Sequence, residues 1–403
     1  MAYPRPSRNG GLPTENQNDS LTSSRAIVAS EPQDGQRAGE NWAIQDIQVP
    51  STLKEGEILV EMVASGICHT DLALTVPEKG QTFPIVPGHE GAGYVRAVGP
   101  GVKKPVKPCD AVLLSFDSCT LCLNCRVQRP AYCDVFAPLN LFGESDVFQA
   151  SGADASKGGV GGKFFGQSSF AKLSVVKETT VLPANDLIQN EEELKLFAPL
   201  GCGIQTGVGA ITNLVKASPD DIVLVTGLGG VGLSAVMGAH ISGCRTIVAV
   251  DKVQSRIDLA KEVFGATHGF NTTDVTDLAA ALKEACGGRG ASVVVETTGV
   301  PLLIEAAFDA VDIKGTFVQV AGPIDPKYRM PVDPVSVIFR GIKMLGCVEG
   351  DSVPGEFIPQ LIKHYRNGKL PVDKMVKFYP AEDFKTALHD MHSGKTIKPV
   401  LTW

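Results

Sequence analysis

The chain is short of positive charge. Its 403 residues hold 37 Lys and Arg against 44 Asp and Glu, a formal net charge of −7, and nowhere do the basic residues cluster. That excludes a nucleic-acid surface, whose affinity comes from neutralising phosphates, and favours a small-molecule partner. A continuous apolar span is missing as well. Ile222 to Cys244 runs 23 residues without a charge, but six glycines interrupt it. Its β-rich start, glycine turn and His240 describe a buried strand and helix, not a membrane span of about 20 apolar residues. Met1–Ser24 lacks the apolar core of about 7–15 residues that marks a secretory signal. Its Pro, Asn, Ser and Gly describe a disordered polar tail, and a cytoplasmic location is expected.

What is present is an ordinary globular composition, 43% apolar and 20% charged, on a chain too long for one hydrophobic core. Two domains are expected. The ten cysteines, without a secretory signal, are expected to be thiols or metal ligands and not disulfides. Six are suggestively placed: Cys68, Cys202, and Cys119, Cys122, Cys125 and Cys133 within 15 residues. Cys109, Cys244, Cys286 and Cys347 read as small packing residues.

Short β runs at 58–64, 93–98 and 111–116 describe an irregular β domain. Its loops carry Cys68-His69-Thr70-Asp71 and Pro87-Gly88-His89-Glu90. Two thiolates and one imidazole, gathered from these loops and Cys202, would hold zinc with its fourth position open, as a catalytic zinc requires. The Cys119, Cys122, Cys125 and Cys133 spacing suits four thiolates around one ion, a closed structural site. An iron–sulfur cluster would use the same ligands. Residues 141–162 read as a Gly/Ser/Ala-rich surface loop, and Phe164 to Phe170 as an aromatic end that turns toward a pocket or packs in the core.

From Asp220 strands and helices alternate. Strand 222–226 enters Gly227-Leu228-Gly229-Gly230-Val231-Gly232, a helix follows to Ser242, and strand 246–250 ends at Asp251, nineteen residues after Gly232. This is the full context of a dinucleotide-binding turn. Gly227 permits the tight turn, Gly229 lets the backbone approach a pyrophosphate, and Gly232 lets helix and strand pack closely. Asp251 would bind ribose hydroxyls and repel a 2′-phosphate, so NAD is favoured over NADP, although Lys252 and Arg256 follow. Further strands at 292–296 and 316–320 imply a parallel sheet. Beyond about residue 345, helices at 357–366 and 381–392 and a strand at 399–402 are expected to return to the first domain.

In order and spacing, GICHTD, PGHEGAG, CxxCxxC with its fourth Cys, PLGCGIQTG and GLGGVG resemble the zinc-dependent alcohol dehydrogenases of the medium-chain dehydrogenase/reductase superfamily, over about residues 27–403. The resemblance implies an α/β chain. A GroES-like β-rich catalytic domain would span residues 25–200, with a structural zinc lobe near 117–135, and return over 345–403; a Rossmann doubly wound parallel sheet would occupy 201–344, with the active site in the cleft between. The resemblance assigns Cys68, His89 and Cys202 to a catalytic zinc and the four clustered cysteines to a structural one, two zinc ions per chain. It makes Thr70 the acceptor of the alcohol proton, Asp71 the group that orients His89, and Glu90 an acid near the metal. His69 matches a position near the cofactor phosphates, as does Lys398, which replaces the Arg of many relatives and loses its bidentate fork. Ala73 stands where many relatives carry the histidine that ends a proton relay.

SFDSCTLCLNC, RPAYC, FFGQSSFA and GCGIQTG look most like the aryl-alcohol (benzyl-alcohol) dehydrogenase branch. The implied activity is interconversion of a primary, aromatic or bulky alcohol and its aldehyde by hydride transfer with NAD. The alternative is a dehydrogenase or reductase dedicated to a non-benzylic intermediate of specialised metabolism. A homodimer or homotetramer is implied. Intact Cys68, Thr70, His89 and Cys202 argue against a regulator without turnover, and the two cysteine sets argue against a zinc-independent reductase.

Overall fold

A computed structural model describes residues 21–33, 39–73 and 82–403. It divides into two units, the first holding the chain up to Cys202 and again Val376–Trp403, the second Gly203–Met375.

In the first unit β1 (Leu21–Ala29) and β2 (Trp42–Pro50) form an antiparallel ladder from Leu21 opposite Pro50 to Ala29 opposite Trp42. The tail expected over residues 1–24 therefore stops earlier, because Leu21–Ser24 already lie in β1; residues 1–20 fall outside the described residues. Those four side chains are polar or exposed, so they read as tail, while Ala26–Ala29 carry the strand into the core. β3 (Glu57–Gly66) is apolar along most of its length, and nine of its ten residues are buried. It pairs with β4 (Gly91–Val98), which pairs with β5 (Ala111–Leu114).

The surface loop expected at 141–162 is instead β6 (Glu144–Ala150) and β7 (Gly159–Gly162), which extend the first sheet in the order β1-β2-β6-β7. Phe148 and Val160 are buried in one cluster with Trp42 and Phe170, so tertiary packing, not local propensity, makes these strands. β8 (Leu173–Lys177) pairs with β3, and β9 (Val181–Pro183) with β5. Phe164, Phe165 and Phe170 all face the interior.

In the second unit β10 (Ile222–Thr226), β11 (Thr246–Asp251), β12 (His268–Asn271), β13 (Ala291–Glu296), β14 (Val311–Gln319) and β15 (Lys343–Gly346) make a parallel sheet, ordered β12-β11-β10-β13-β14-β15. This is a doubly wound sheet. The order reverses between β10 and β13, and such sheets bind ligands outside the carboxyl ends of the strands at that point. The uncharged stretch at 222–244 resolves into β10, the glycine turn and helix Gly230–Ile241. No single helix among the described residues is long and apolar enough to cross a membrane.

Helix Pro354–Arg366, expected to belong to the first domain, belongs to the second unit, where Phe357, Ile358, Leu361 and Ile362 are buried. The chain returns only at Val376. There β16 (Val376–Pro380) and β17 (Lys398–Thr402) complete the order β16-β17-β3-β4-β5-β9.

Candidate active site

β3 ends at Gly66 and the chain turns into the short helix His69–Ala73. Asp71 makes the turn: its Oδ2 accepts the Cys68 amide at 2.9 Å, one half of a capping box. Its Oδ1 accepts the Gly88 amide at 3.1 Å and lies 2.6 Å from His89 Nδ1. One buried carboxylate thus sets the register of two loops far apart in sequence. Gly88 has a φ of +92°, and a Cβ there would lie 2.5 Å from the Phe170 ring, so only glycine fits that turn.

Cys202 comes to the same point after the tight turn Ala198–Gly201. That turn is pressed onto the end of β5, where a Cβ on Gly201 would meet the Leu114 carbonyl oxygen at 1.9 Å. Ser115 Oγ locks it by donating to the Gly201 carbonyl at 2.6 Å.

Ligand atoms of Cys68, His89, Glu90 and Cys202 lie within 4.8 Å of one another, and His89 Nε2 is 3.2 Å from Cys202 Sγ. All four residues belong to the first unit. Hydrogen bonding with Cys202, aided by His89, holds the Cys68 thiol well below its ordinary value against the effect of burial. Burial opposes charge on His89, but the Asp71 carboxylate overcomes it and raises the imidazole well above its usual value. With Nδ1 committed to Asp71, Nε2 is the nitrogen left to ligate. Two sulfurs and one imidazole suit zinc with an open fourth position, so the residues present fit a catalytic zinc.

Burial raises the Glu90 carboxyl despite its pairing with Lys398. Lys398 is 5% exposed, with Nζ 2.6 Å from Glu90 Oε1 and 3.1 Å from the Ile67 carbonyl oxygen. The expectation that it meets cofactor phosphates differs from this geometry: a carboxylate buried beside thiolates needs a counter-charge, and Lys398 supplies it. Thr70 is half-buried in the same short helix that Ala73 ends. His69 is exposed, its ring 6.5 Å from that of His392.

The sulfurs of Cys119, Cys122, Cys125 and Cys133 lie within 4.8 Å of one another. Backbone amides point at them, Cys122 N to Cys119 Sγ at 3.3 Å and Cys119 N to Cys133 Sγ at 3.3 Å, as thiolate ligands of a metal require. Leu121 and Leu123 between them are exposed, so the lobe has little core of its own and an ion would supply its cross-link.

In the second unit Gly227 turns with φ +87°. A Cβ on Gly232 would collide with the Gly227 carbonyl oxygen at 1.7 Å, whereas one on Gly229 would meet no atom within 4 Å. Gly232 is thus demanded by packing, and Gly229 leaves open room for a ligand beside the backbone. Gly230 and Val231 begin the helix, whose first amides have no partner within it, as an anion-binding helix N-terminus requires. Asp251 ends β11 and accepts the Leu228 amide at 2.7 Å and the Val253 amide at 2.9 Å. Arg256 lies 4.0 Å from it, and Lys252 is exposed.

The aromatic end at Phe164 to Phe170, expected to face a pocket or the core, encases His89, a partner the sequence did not name. The Phe165 ring stacks on the imidazole at 4.3 Å and 23°, and Phe164 meets it edge-on at 5.7 Å. Gln167, fully buried, donates to the His89 and Ser115 carbonyls and accepts the Gly91 amide. A glutamine set among aromatics was the one available signal. Phe165 and Ser168 have φ of 52° and 48°, conformations their residue types do not announce.

Residues 54–186 match the alcohol dehydrogenase GroES-like domain, and residues 230–366 the zinc-binding dehydrogenase family. The chain is 37% identical over 371 residues to a geraniol dehydrogenase of Castellaniella defragrans, covering 91% of this chain and 96% of that protein. Among solved structures it resembles an alcohol dehydrogenase zinc-binding domain protein from Burkholderia ambifaria, at TM-score 0.85 and 38% identity over 95% of this chain and 99% of the other. It also resembles the benzyl alcohol dehydrogenase of Acinetobacter calcoaceticus, at TM-score 0.83 and 34% identity over 95% and 99%.

Proposed function

The chain belongs to the zinc-dependent alcohol dehydrogenases of the medium-chain dehydrogenase/reductase superfamily, and on that premise we propose that it interconverts a primary aromatic or allylic alcohol and its aldehyde, using NAD. The observation that carries this reading is the convergence of half-buried Cys68 with buried His89 and Cys202 on one point. The substrate class rests on likeness to a benzyl alcohol and a geraniol dehydrogenase, whose named substrates are both primary alcohols with a π system beside the carbinol carbon. That class joins the benzylic and non-benzylic readings left open by the sequence.

Zinc held by Cys68, His89 and Cys202 would supply a Lewis acid for the alcohol oxygen, and NAD would supply the hydride acceptor. Asp71 fixes the tautomer of His89 through Nδ1. Thr70 Oγ1 takes the alcohol proton. Ala73, at the end of the same short helix, offers no imidazole to take that proton further, so this chain's own relay ends at Thr70. Lys398 offsets the charge of Glu90 beside the ligand cluster. Cys119, Cys122, Cys125 and Cys133 would hold a second, structural zinc. Asp251 at the end of β11 disfavours a 2′-phosphate, which supports NAD over NADP.

The test is metal content together with initial rates for NAD and NADP against benzylic, allylic and saturated alcohols and their aldehydes. Two zinc ions and the highest kcat/KM with NAD and a benzylic or allylic substrate are expected. Preference for saturated alcohols would overturn the substrate class, and full activity in Cys202→Ala would overturn the site.

A further inference from the structure

Lys163 lies outside the metal cluster, yet it is only 3% exposed. Its ammonium sits 2.5 Å from Glu57 Oε1 and 2.7 Å from Glu144 Oε2. Burial works against that charge, and the two carboxylates outweigh it, raising Lys163 above its ordinary value. Glu57 opens β3, the strand that leads to Cys68, and Glu144 opens β6. A buried ammonium held by two strands is a costly anchor, which raises the question of what it anchors.

The answer lies in the next five residues. Lys163, Phe165, Gly166 and Ser168 have φ of 57°, 52°, 67° and 48°. Three of these are not glycine, and non-glycine residues stay in the left-handed region only when their surroundings over-determine them. Both ends of the turn are tied. Lys163 is held by its two acids, while Ser168 Oγ donates to the Val86 carbonyl at 2.6 Å and accepts the Phe164 amide at 2.9 Å. Between the ties, the Phe165 ring lies on His89 at 4.3 Å and 23°. Asp71 fixes one nitrogen of that imidazole, while the flat contact with Phe165, with Phe164 edge-on at 5.7 Å, bears on the plane of the ring about that hydrogen bond.

We propose that Lys163 is a positioning residue for the metal ligand His89, its ion pairs with Glu57 and Glu144 holding the strained turn that presses Phe165 onto the imidazole. The proposal rests on reading His89 as a zinc ligand. It differs from the role of Asp71, which selects the tautomer, because Lys163 acts on the plane of the ring and does so through a second side chain.

The test follows zinc loss to a chelator, at temperatures well below unfolding, in wild type, Lys163→Met, Lys163→Arg, Phe165→Leu and Cys202→Ser, the last as reference for a disrupted site. Lys163→Met and Phe165→Leu are expected to lose one of two ions about tenfold faster than wild type, the scale set by groups that orient metal ligands. The four-cysteine ion is expected to be kept, and Lys163→Arg to restore the slow rate. A lysine that only stabilises the fold would lower the unfolding temperature of Lys163→Met and leave zinc loss unchanged, which overturns the proposal. Should Lys163→Met fail to fold, Lys163→Gln combined with Glu57→Gln, which leaves no unpaired buried charge, replaces it. If Cys202→Ser retains both ions as firmly as wild type, the zinc reading has failed, and the positioning role falls with it.

Discussion

Asp71 and His89 are joined by a 2.6 Å hydrogen bond between two side chains with no exposed surface. The same carboxylate holds the Cys68 and Gly88 amides, so it couples the placement of two metal ligands to the tautomer of one. Asp71→Asn keeps an acceptor and loses the charge. Zinc affinity is expected to fall by about 10- to 100-fold in that variant, and further in Asp71→Ala, where the Cys68 and Gly88 amides also lose their acceptor. Chelator competition with circular dichroism on the same samples checks both; unchanged affinity in Asp71→Ala would remove this residue from the site.

Gly229 and Gly232 make a paired test of the dinucleotide turn. A Cβ at Gly232 meets the Gly227 carbonyl oxygen at 1.7 Å, so Gly232→Ala is expected to lower stability by about 1–3 kcal/mol, the usual cost of overpacking. A Cβ at Gly229 meets no protein atom within 4 Å, so Gly229→Ala is expected to keep the melting temperature. It would instead weaken NAD binding by about 1.5–3 kcal/mol, roughly 10- to 150-fold in Kd, as expected for loss of a hydrogen bond to a charged phosphate. Calorimetric titration with NAD separates the two, and equal melting losses in both variants would assign both glycines to packing.

The parts of this chain legible in its sequence are those where chemistry dictates both residue type and spacing. The Cys119, Cys122, Cys125 and Cys133 spacing and the Gly227 to Gly232 turn are of this kind, since sulfur geometry and backbone sterics leave few substitutes. β6 and β7 were not legible. Gly159-Val160-Gly161-Gly162 has no strand propensity, and only pairing with β6 and burial of Val160 and Phe148 make it one. Lys398 was legible as a charge but not by its partner, because nothing local to it names Glu90, 308 positions away. The turn at Lys163 was hidden for the same reason: its conformation is imposed by Glu57, Glu144 and Val86, all distant in sequence.

Asp251 carries the cofactor prediction. Its carboxylate accepts two backbone amides at the end of β11, and Arg256 stands 4.0 Å away. Asp251→Ser keeps a short acceptor but removes the charge that opposes a 2′-phosphate, and it frees Arg256 to meet one. The ratio of kcat/KM for NADP to that for NAD is expected to rise at least about tenfold, equivalent to 1.4 kcal/mol. Steady-state kinetics with both cofactors checks this, and a fall with both in equal proportion would mean that Asp251 only shapes the loop.

A pH prediction comes from the last helix of the first unit. Asp390 is buried on helix Phe384–His392, where the Tyr379 hydroxyl donates to it at 2.8 Å and Lys395 and Lys377 lie at 3.2 and 3.3 Å. The Tyr379 hydrogen bond, aided by the two ammonium groups against the effect of burial, lowers its carboxyl to about 2. An unfolded aspartate titrates near ~3.9, so the folded state binds this proton less tightly than the unfolded one. The carboxylate's contribution is therefore complete above the unfolded value and is lost as pH falls through about 2. Asp390→Asn is expected to melt below wild type at about pH 7, with the gap narrowing from about pH 5 downward and closing near about pH 2. Melting curves for both proteins across that range check the sign. A gap that persists unchanged into acid would place the loss in packing around Tyr379 and Thr396, whose hydroxyls lie 2.7 Å apart, and not in the charge of Asp390.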